Sequence, residues 1–388
     1  MSAATLPPGD VGSVLEQSRT LTWPVLRAAV GRLAPQMQRV AGYHFGWLAP
    51  DGTELDSDGG KGLRPALAIL SARAVGAPDE IAVPGAVAVE LVHNFSLLHD
   101  DLMDGDEERH HRATAWTVFG SSDAILGGVA LLTLAEQILL DLQTPAGAAA
   151  TRLLTGATSR LVTGQTEDLD FESRTDVGLD ECLAMAGNKT AALFSASAAI
   201  GAVLAGADPR TIDALAQFGE HLGCAFQLVD DLLGIWGAPE VTGKPVLADL
   251  RAGKKSLPVV AALRAGGPDS ARLADLIEHA DIARDDIPGD SGSGHSGSGH
   301  SGSGHSGSGH SGSGHSGSGR RRAPIGADDD RYAAMAELIE RAGGRSWVRA
   351  EAERQLAIAC AILADASPPE RVLRDLTDVA SFVVGREL

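Results

Sequence analysis

The sequence predicts an all-α fold, and three observations support that prediction. Ala and Leu dominate the apolar residues, which make up 44% of the chain, whereas aromatic residues make up only 4%. Ala and Leu are strong helix formers, and runs of β-branched residues are scarce. Apolar residues recur at helical spacing between short polar breaks, and no stretch shows the two-residue period of a strand. We therefore expect roughly a dozen helices around one core.

The helical pattern is clearest in five segments that follow the loop Leu48–Gly60. These segments are Gly85–Asp101, Ser121–Leu142, Gly147–Asp168, Leu179–Leu204 and Arg210–Trp236. Further on, the pattern resumes near Arg331, breaks at Gly343–Gly344 and runs to Leu363. A last helix is expected over Pro369–Val384.

Residues 291–319 contain the repeat SGSGH five times, and a sixth copy ends in Arg320. Gly and Ser bury too little apolar area to offset the entropy of ordering, so we expect a flexible linker. The regularly spaced histidines leave metal binding open as an alternative. Because helices are predicted on both sides, we interpret the repeat as an insertion within one domain spanning 1–388, with an N-terminal tail over about 1–20.

Composition also excludes several classes of partner. The net charge is −19, from 32 basic and 51 acidic residues, and such a surface repels nucleic acid. The three cysteines, Cys182, Cys224 and Cys360, are far apart and lack metal-ligand spacing, which favours a reducing cytoplasm. The N-terminus lacks the pattern of a signal peptide. No apolar run reaches about 18 residues without a charge, so no membrane span is expected.

Carboxylates crowd the end of the helix predicted within Glu90–Asp104. Asp100 and Asp104 are four residues apart and project from one face, with Asp101 about 100° away around the helix axis. The C-terminal end of a helix is the negative end of its dipole, so this arrangement is costly without a cation. Mg²⁺ prefers such oxygen ligands and combines one or two carboxylates with substrate phosphates. A solvated acidic helix end is the alternative interpretation.

A second apolar helical stretch ends in Asp230 and Asp231. Two Gly-Lys pairs follow in loop-like sequence, Gly243–Lys244 and Gly253–Lys254, with Asp249 between them. A lysine beside a flexible glycine can approach a phosphate, and exposed backbone N–H groups can help to bind it. Two acidic helix ends, each followed by basic residues, therefore indicate a site for a metal ion and phosphate groups.

Basic residues in the N-terminal half are placed to extend such a site. Lys61 and Arg64 follow a glycine-rich turn where a helix is predicted to begin, and they are three residues apart. Arg109 and Arg112 come shortly after the first acidic cluster. His93 lies two helical turns before that cluster on the same face, although a core histidine is the alternative there.

Six motifs occur in an order that resembles one family. They are GGKGLRP from Gly59, HDDLMD from His99, GQTED from Gly164, NKT from Asn188, FQLVDD from Phe226 and GK…D…GK from Gly243. Together they resemble the trans-isoprenyl (polyprenyl) diphosphate synthases over about Gly59 to Arg386, apart from the repeat. The resemblance implies a single large helical bundle of the isoprenoid synthase type, with both acidic helix ends at the mouth of a central cavity. It also implies a homodimer and about three Mg²⁺ ions per active site, a family expectation in keeping with the affinity of Mg²⁺ for carboxylates.

The resemblance assigns a role to each matching residue. The direct metal ligands would be carboxylates of the two helix ends, Asp100, Asp104 and Asp230. The carboxylates supporting them would be Asp101 and Asp231. The cations at the allylic diphosphate would be Arg109, Lys189, Lys244 and Lys254. Isopentenyl diphosphate would be held by Lys61, Arg64 and His93, and the reacting centre would be lined by Thr190 and Gln227.

Three positions depart from the family pattern. Gly234 stands where the second acidic motif often has a third aspartate, but the first aspartate is the main ligand, so we expect activity to survive. Gly62 replaces a frequent arginine. His110 stands where a second arginine usually binds isopentenyl diphosphate, and Arg112 is a candidate to compensate for it.

The implied reaction joins isopentenyl diphosphate to dimethylallyl, geranyl or farnesyl diphosphate in trans and releases diphosphate. Phe95 lies five residues before Asp100, which is about 7 to 8 Å deeper along the helix. There it would stop the growing chain, whereas Ser96 is small. This pattern resembles synthases that make the twenty-carbon geranylgeranyl product, and farnesyl diphosphate is the shorter alternative. Phe95 as an ordinary core residue also remains open.

Two other functions compete with this expectation. A class I terpene cyclase also uses acidic helix ends with Mg²⁺, but it needs no second diphosphate, which the basic residues Lys61, Arg64 and His93 would hold. A non-catalytic subunit of a heteromeric synthase would be expected to lack ligand aspartates, and Asp100, Asp104 and Asp230 are all present.

Overall fold

The computed structural model describes residues 11–55, 60–109, 111–174, 176–239, 245–285 and 325–385. Over these residues the protein is helical almost throughout, which confirms the all-α prediction. Predicted features outside the described residues include His110, Lys244, the repeat at 291–319 and residues 1–10 of the expected N-terminal tail. Residues 11–20 of that expected tail instead belong to the helix Val11–Val30.

Most of the described helices are joined by short connections. In chain order they are α1 (Val11–Val30), α2 (Pro35–His44), α3 (Leu63–Ala74), α4 (Asp79–Met103), α5 (Ala115–Phe119), α6 (Ser121–Leu140), α7 (Pro145–Ser173), α8 (Leu179–Ala186), α9 (Ala192–Leu204), α10 (Pro209–Trp236), α11 (Ala248–Ala252), α12 (Leu257–Ala265), α13 (Pro268–Asp285), α14 (Ile325–Arg341), α15 (Gly344–Ala366) and α16 (Glu370–Val384). A π-helical turn over Gly187–Ala191 joins α8 to α9, and the strands β1 (Glu108–Arg109) and β2 (Arg112–Ala113) form a small antiparallel hairpin.

The predicted helices are confirmed, with differences at their ends. α4 begins at Asp79 rather than Gly85, because the pair Pro84–Gly85 resembles a break in the sequence but lies inside the helix. Asp79 and Glu80 occupy the first turn of α4, where negative charge is favoured by the helix dipole. The hairpin escaped prediction because strands of two residues are too short to show a period.

Helix α9 forms the centre of the fold and packs against α3, α4, α7 and α10. Almost every residue of α9 is buried. Its backbone touches α3 at Gly201, whose N–H donates a hydrogen bond to Ser71 Oγ at 3.0 Å. A Cβ at Gly201 would lie 2.6 Å from Ser71 Oγ and nearer still to the carbonyl oxygen of Ala68. This close approach fixes α3, and with it the basic motif at its start, against the core.

Two of the described helices, α4 and α6, are long and apolar enough to cross a membrane by length and composition. α4 is largely buried inside the protein and ends in the acidic cluster, as a core helix does. α6 is less buried and exposes Ile125, Leu126 and Val129. The absence of a membrane span therefore stays a prediction from the sequence.

Replacing Gly201 by Ala is expected to destabilise the protein. The new methyl group would collide with the backbone of α3, which cannot relieve the clash by rotating a side chain. Such overpacking lowers the free energy of unfolding by about 1 to 3 kcal/mol. Gly156→Ala in α7 is the matched control, because a Cβ there meets nothing within 4 Å. Helix propensity should make that control more stable by up to about 1 kcal/mol. Urea unfolding of both variants measures the difference, and equal midpoints would contradict the close contact.

Candidate active site

The C-terminal end of α4 holds three carboxylates in different surroundings. Asp101 is turned inward and 2% exposed, and its Oδ1 accepts a hydrogen bond from Arg109 Nε at 2.6 Å. Asp104 Oδ2 lies 3.3 Å from Lys254 Nζ. Burial raises the pKa of Asp100 to about 6, with Lys189 acting against this rise and Asp104 adding to it. The acidic end is therefore compensated by cations that come from other elements.

The hairpin directs its two arginines to different partners. Arg109 and Arg112 are paired across the two strands, and Arg109 contacts the acidic end of α4. The Arg112 guanidinium lies 4.6 Å from the ring centre of Tyr43 and donates to the carbonyl oxygen of Leu48 at 3.3 Å. The Tyr43 hydroxyl in turn donates to the Ala113 carbonyl oxygen at 2.6 Å, which ties α2 to the hairpin.

The end of α10 separates its two aspartates. Asp230 is exposed, whereas Asp231 is 9% exposed and turned into the protein. Asp231 accepts hydrogen bonds from Gln227 Nε2 at 2.7 Å and from the Leu257 backbone N–H at 2.9 Å. Gln227 Oε1 accepts from the Thr190 hydroxyl at 2.6 Å. Burial, followed by neighbouring carboxylates, raises the pKa of Asp231 to about 7. Asp231 thus fixes the local structure, and Asp230 remains accessible to a ligand.

The π turn over Gly187–Ala191 carries Lys189 and Thr190. Lys189 Nζ lies 2.6 Å from Asp168 Oδ2 of α7. α7 approaches this turn at Gly164, where a Cβ would lie 2.7 Å from Lys189 Cα and nearer still to its backbone nitrogen. Single π turns within α-helices often occur at functional sites. Here the turn brings a lysine beside an acidic residue of a neighbouring helix.

Arg160 of α7 holds the same turn from outside. Its Nη2 donates to the carbonyl oxygen of Gly187 at 3.2 Å, and its Nε donates to Asn188 Oδ1 at 3.3 Å. The guanidinium also forms two hydrogen bonds with Glu220 of α10, at 2.5 and 3.0 Å. One arginine therefore connects α7, the π turn and α10, which together position Lys189.

A second basic group lies where α3 and α4 meet. The Arg64 guanidinium carbon lies 4.5 Å from the ring centre of Phe194 and 6.0 Å from that of Phe226. Burial lowers the pKa of His93 well below its usual value, and the charge of Arg64 adds to this effect. Both effects favour the neutral imidazole of His93. Lys61 is exposed just before α3, with Nζ 5.7 Å from the Phe382 ring centre.

Lys254 connects the two acidic helix ends. Burial alone would lower its pKa, but the negative charges of Asp104, Asp249 and Asp168 outweigh burial and raise it above the usual value. These carboxylates belong to α4, α11 and α7, respectively. α11 is the next described helix after α10, so carboxylates from both ends of the candidate site act on one ammonium group.

The chemistry of these donors fits a hard divalent cation. The converging side chains are all carboxylates, and oxygen ligands are those that Mg²⁺ prefers. Among the side chains that the structure describes, no three His, Cys, Asp or Glu residues are already close enough to hold one metal ion. Mg²⁺ usually takes only one or two protein carboxylates and completes its shell with water and substrate phosphates. The open acidic ends suit that mode of binding.

The structure explains why position 62 is occupied by glycine. Gly62 precedes α3 with φ of +66°, a left-handed conformation that favours glycine. A Cβ at this position would also lie 3.1 Å from Arg19 and 3.2 Å from Trp23 of α1. α1 therefore covers the backbone of the basic motif.

Phe95 lies on the flank of α4 that faces α6. Its ring meets that of His99 edge to face, with centres 4.9 Å apart, and His99 Nε2 lies 3.1 Å from the carbonyl oxygen of Ile125 in α6. Phe95 is 7% exposed. The neighbouring Ser96 hydroxyl donates to the carbonyl oxygen of His93 at 2.8 Å, so it is engaged with its own helix.

Two acidic residues of the site had no role assigned from the sequence. Asp168 stands in the GQTED motif and pairs with Lys189, and Asp249 stands between the two Gly-Lys pairs and faces Lys254. Their places inside matched motifs were the available signal. Single acidic residues in polar segments are usually solvated, so only the fold reveals their partners.

Comparisons with known proteins agree with this arrangement. The family model described as Polyprenyl synthetase matches residues 47–288. A (2E,6E)-farnesyl diphosphate synthase of Mycobacterium tuberculosis is 44% identical over 387 residues, covering 100% of this chain and 95% of that protein. A geranylgeranyl diphosphate synthase of the same species is 46% identical over 273 residues, covering 70% of this chain and 78% of its own.

A solved structure extends the likeness to three dimensions. The crystal structure of a polyprenyl synthetase from Streptomyces coelicolor A3(2) superposes with a TM-score of 0.82 at 50% sequence identity. The match covers 97% of this chain and 100% of that chain. Sequence and fold therefore agree over nearly the whole protein, and the chain belongs to the polyprenyl synthetase family of trans-isoprenyl diphosphate synthases.

Proposed function

We propose that the protein condenses isopentenyl diphosphate with allylic diphosphates in a Mg²⁺-dependent reaction. The observation that carries the proposal is the convergence of Asp104, Asp168 and Asp249 on the half-buried Lys254. An excess of carboxylates around a cation suits a metal and diphosphate cluster, whereas a purely structural ion pair needs one partner.

In this proposal the two acidic helix ends hold the metal ions. Asp100 and Asp104 of α4 and Asp230 of α10 are the direct ligands, while Asp101 and Asp231 stay hydrogen-bonded inside the protein. Bound Mg²⁺ would supply positive charge to the diphosphate of the allylic substrate.

The side chains around these ends then favour ionisation of the allylic substrate. Arg109, Lys189 and Lys254 bind the allylic diphosphate and stabilise the charge that develops as the C–O bond breaks. Arg64, Lys61 and the neutral His93 hold isopentenyl diphosphate beside it, so that its double bond attacks the allylic cation. The new C–C bond leaves a cation that loses a proton to the released diphosphate. No protein nucleophile is needed.

The product proposed is the twenty-carbon geranylgeranyl diphosphate. The support is Phe95, a buried aromatic residue one and a half turns before the metal ligands, with no second aromatic residue at Ser96. Farnesyl diphosphate is the second candidate, because the relative that covers this whole chain is named a farnesyl diphosphate synthase. The two candidates differ by one condensation step.

We also propose a homodimer formed through α6. This helix exposes Ile125, Leu126 and Val129, which are 45%, 56% and 48% exposed and lie on one side of the helix. Apolar residues that share one face of a helix are typical of a protein interface. The face belongs to the helix that packs on α4, so a second copy would cover the flank next to Phe95.

The first experiment incubates the purified protein with Mg²⁺, isopentenyl diphosphate and each allylic diphosphate in turn. Dephosphorylated products are sized by chromatography, and we expect a twenty-carbon alcohol. A fifteen-carbon alcohol would favour the farnesyl candidate. Cyclic hydrocarbons from an allylic substrate alone would indicate a terpene cyclase. No product from any mixture would contradict the proposal and favour a non-catalytic subunit.

Lys254→Gln should lower kcat by about 10²-fold, because it removes a preorganised cation from the developing negative charge. Arg251→Gln is the matched control, since Arg251 lies on the neighbouring helix α11 and pairs with Asp329 of α14. Steady-state rates with farnesyl diphosphate measure both. Equal losses in the two variants would contradict a specific role for Lys254.

Phe95→Ala should shift the product distribution towards chains longer than twenty carbons, because the aromatic ring proposed to block further elongation would be removed. Phe119→Ala is the control, since Phe119 is an aromatic residue on α5 that packs against Tyr43. Chromatography of the dephosphorylated alcohols measures the shift. An unchanged distribution in Phe95→Ala would assign Phe95 to the core alone.

Leu126→Asp should convert the dimer to a monomer, because a charge would be buried at the centre of the proposed interface. Ile81→Asp is the control, since Ile81 is 39% exposed at the start of α4 and lies outside the α6 face. Sedimentation velocity measures the mass of each variant. A wild-type protein that sediments as a monomer would rule out the interface.

A further inference from the structure

We infer that the carboxamide of Gln165 is a catalytic group that stabilises the allylic substrate while its C–O bond breaks. The inference deepens the proposed function and rests on it. In that step the electron pair of the bond leaves with the diphosphate, and a positive charge remains on the allylic carbons. An amide oxygen beside those carbons and an amide N–H beside the leaving oxygen would each face the opposite charge as it develops.

The first argument is that the side chain of Gln165 is buried without hydrogen bonds. The residue is 6% exposed, and neither Oε1 nor Nε2 has a partner among the residues that the structure describes. Such an amide has lost its hydrogen bonds to water and gained none from the protein, which destabilises the folded chain. Unpaired polar groups are rare in protein interiors, and each requires an explanation. A substrate that binds beside the amide provides one.

The second argument is the position of Gln165 on α7. Four residues before it, Leu161 belongs to the apolar cluster that contains Phe95. Three residues after it, Asp168 pairs with Lys189 of the π turn at 2.6 Å. Residues spaced by three and four share one face of a helix, so Gln165 lies between the acidic end and the apolar cluster. In the proposed reaction the diphosphate occupies the acidic end and the hydrocarbon occupies the apolar side, with the breaking C–O bond between them.

The third argument is that the other glutamine near the π turn is already engaged. Gly164 lies too close to the backbone of Lys189 for a Cβ, so α7 brings Gln165 towards that turn. Thr190, the next residue of the turn, donates to Gln227 Oε1 at 2.6 Å, and Gln227 Nε2 donates to the second aspartate of α10 at 2.7 Å. The amide of Gln227 is therefore bonded at both ends, whereas that of Gln165 keeps its hydrogen-bonding capacity for a substrate.

An amide also suits this position better than a charged group. It presents a dipole to the developing charges without adding net charge to the site. A carboxylate beside an allylic cation could capture it as an ester. The amide is a weak nucleophile, so the cation stays free to react with the double bond of isopentenyl diphosphate.

Gln165→Met tests the inference, because methionine matches the length and helix propensity of glutamine but carries no amide. In the ligand-free protein the urea midpoint should rise, because the substitution removes two buried polar atoms that lack partners. In turnover with Mg²⁺, isopentenyl diphosphate and geranyl diphosphate, kcat should fall by about 10²-fold, because a preorganised dipole is lost from the transition state. The variant should therefore be more stable and less active than the wild-type protein.

Gln355→Met in α15 is the matched control, because Gln355 is also buried but its amide has partners. His221 Nδ1 lies 2.6 Å from its Oε1, and its Nε2 donates to Glu351 at 2.7 Å. This substitution should lower the urea midpoint, since it removes both contacts, and it should leave kcat unchanged. The two variants are thus expected to differ from the wild-type protein in opposite directions.

A titration with Mg²⁺ and inorganic diphosphate separates binding from catalysis. Inorganic diphosphate has no allylic carbon and no C–O bond to break, so Gln165→Met should bind it as the wild-type protein does. A loss of this affinity as large as the loss of kcat would contradict the inference, because Gln165 would then act on the bound ground state.

The remaining outcomes are also decisive. A wild-type kcat in Gln165→Met would overturn the inference and leave the proposed function intact. A lower urea midpoint in that variant would overturn it too, because the amide would then have a partner within the folded protein. A wild-type protein that turns over no allylic diphosphate would remove the proposed function, and the inference with it.

Discussion

The repulsion among partly buried carboxylates is the constraint on which the rest of the structure depends. Asp100 and Asp104 at the end of α4, Asp168 of α7 and Asp249 of α11 lie around Lys254, whose single positive charge offsets only part of their negative charge. A fold selected for stability alone would have little reason to collect them, because like charges in a low-dielectric site are costly. The helical packing around α9 supplies the free energy that holds these groups together in the absence of a ligand.

Much of the fold follows from local sequence. Ala-rich and Leu-rich segments of helical period predicted α4, α6, α7 and α10 within a few residues, because each is long and its pattern repeats over several turns. The segment predicted over Leu179–Leu204 is divided in the structure into α8, the π turn and α9. The acidic ends of α4 and α10 were also evident, since crowded carboxylates at the negative end of a dipole are conspicuous in a sequence.

The parts that escaped prediction depend on contacts between distant segments. Gly234 and Asp249 are separated in the sequence, and only the left-handed turn at Leu247 brings them into contact. The π turn that carries Lys189 is tied to α7 and α10 through Arg160 and Glu220, and no local sequence pattern predicts it. Likewise, the different partners of Arg109 and Arg112 are decided by a hairpin too short to leave a period.

The surroundings of the π turn and those of Phe95 are built from different kinds of contact. Gly164 meets the backbone of Lys189, Gly223 meets Ala191 and Gly219 meets the carbonyl oxygen of Phe194, in each case too closely for a Cβ. Main-chain contacts of this kind leave no room for a side chain, so these three positions are confined to glycine. The opposite flank, where Phe95 faces α6, is built from side chains that can be exchanged one at a time. In the proposed reaction, the length of the hydrocarbon product is therefore the property most open to change by substitution, and the chemistry at the acidic helix ends is the least open.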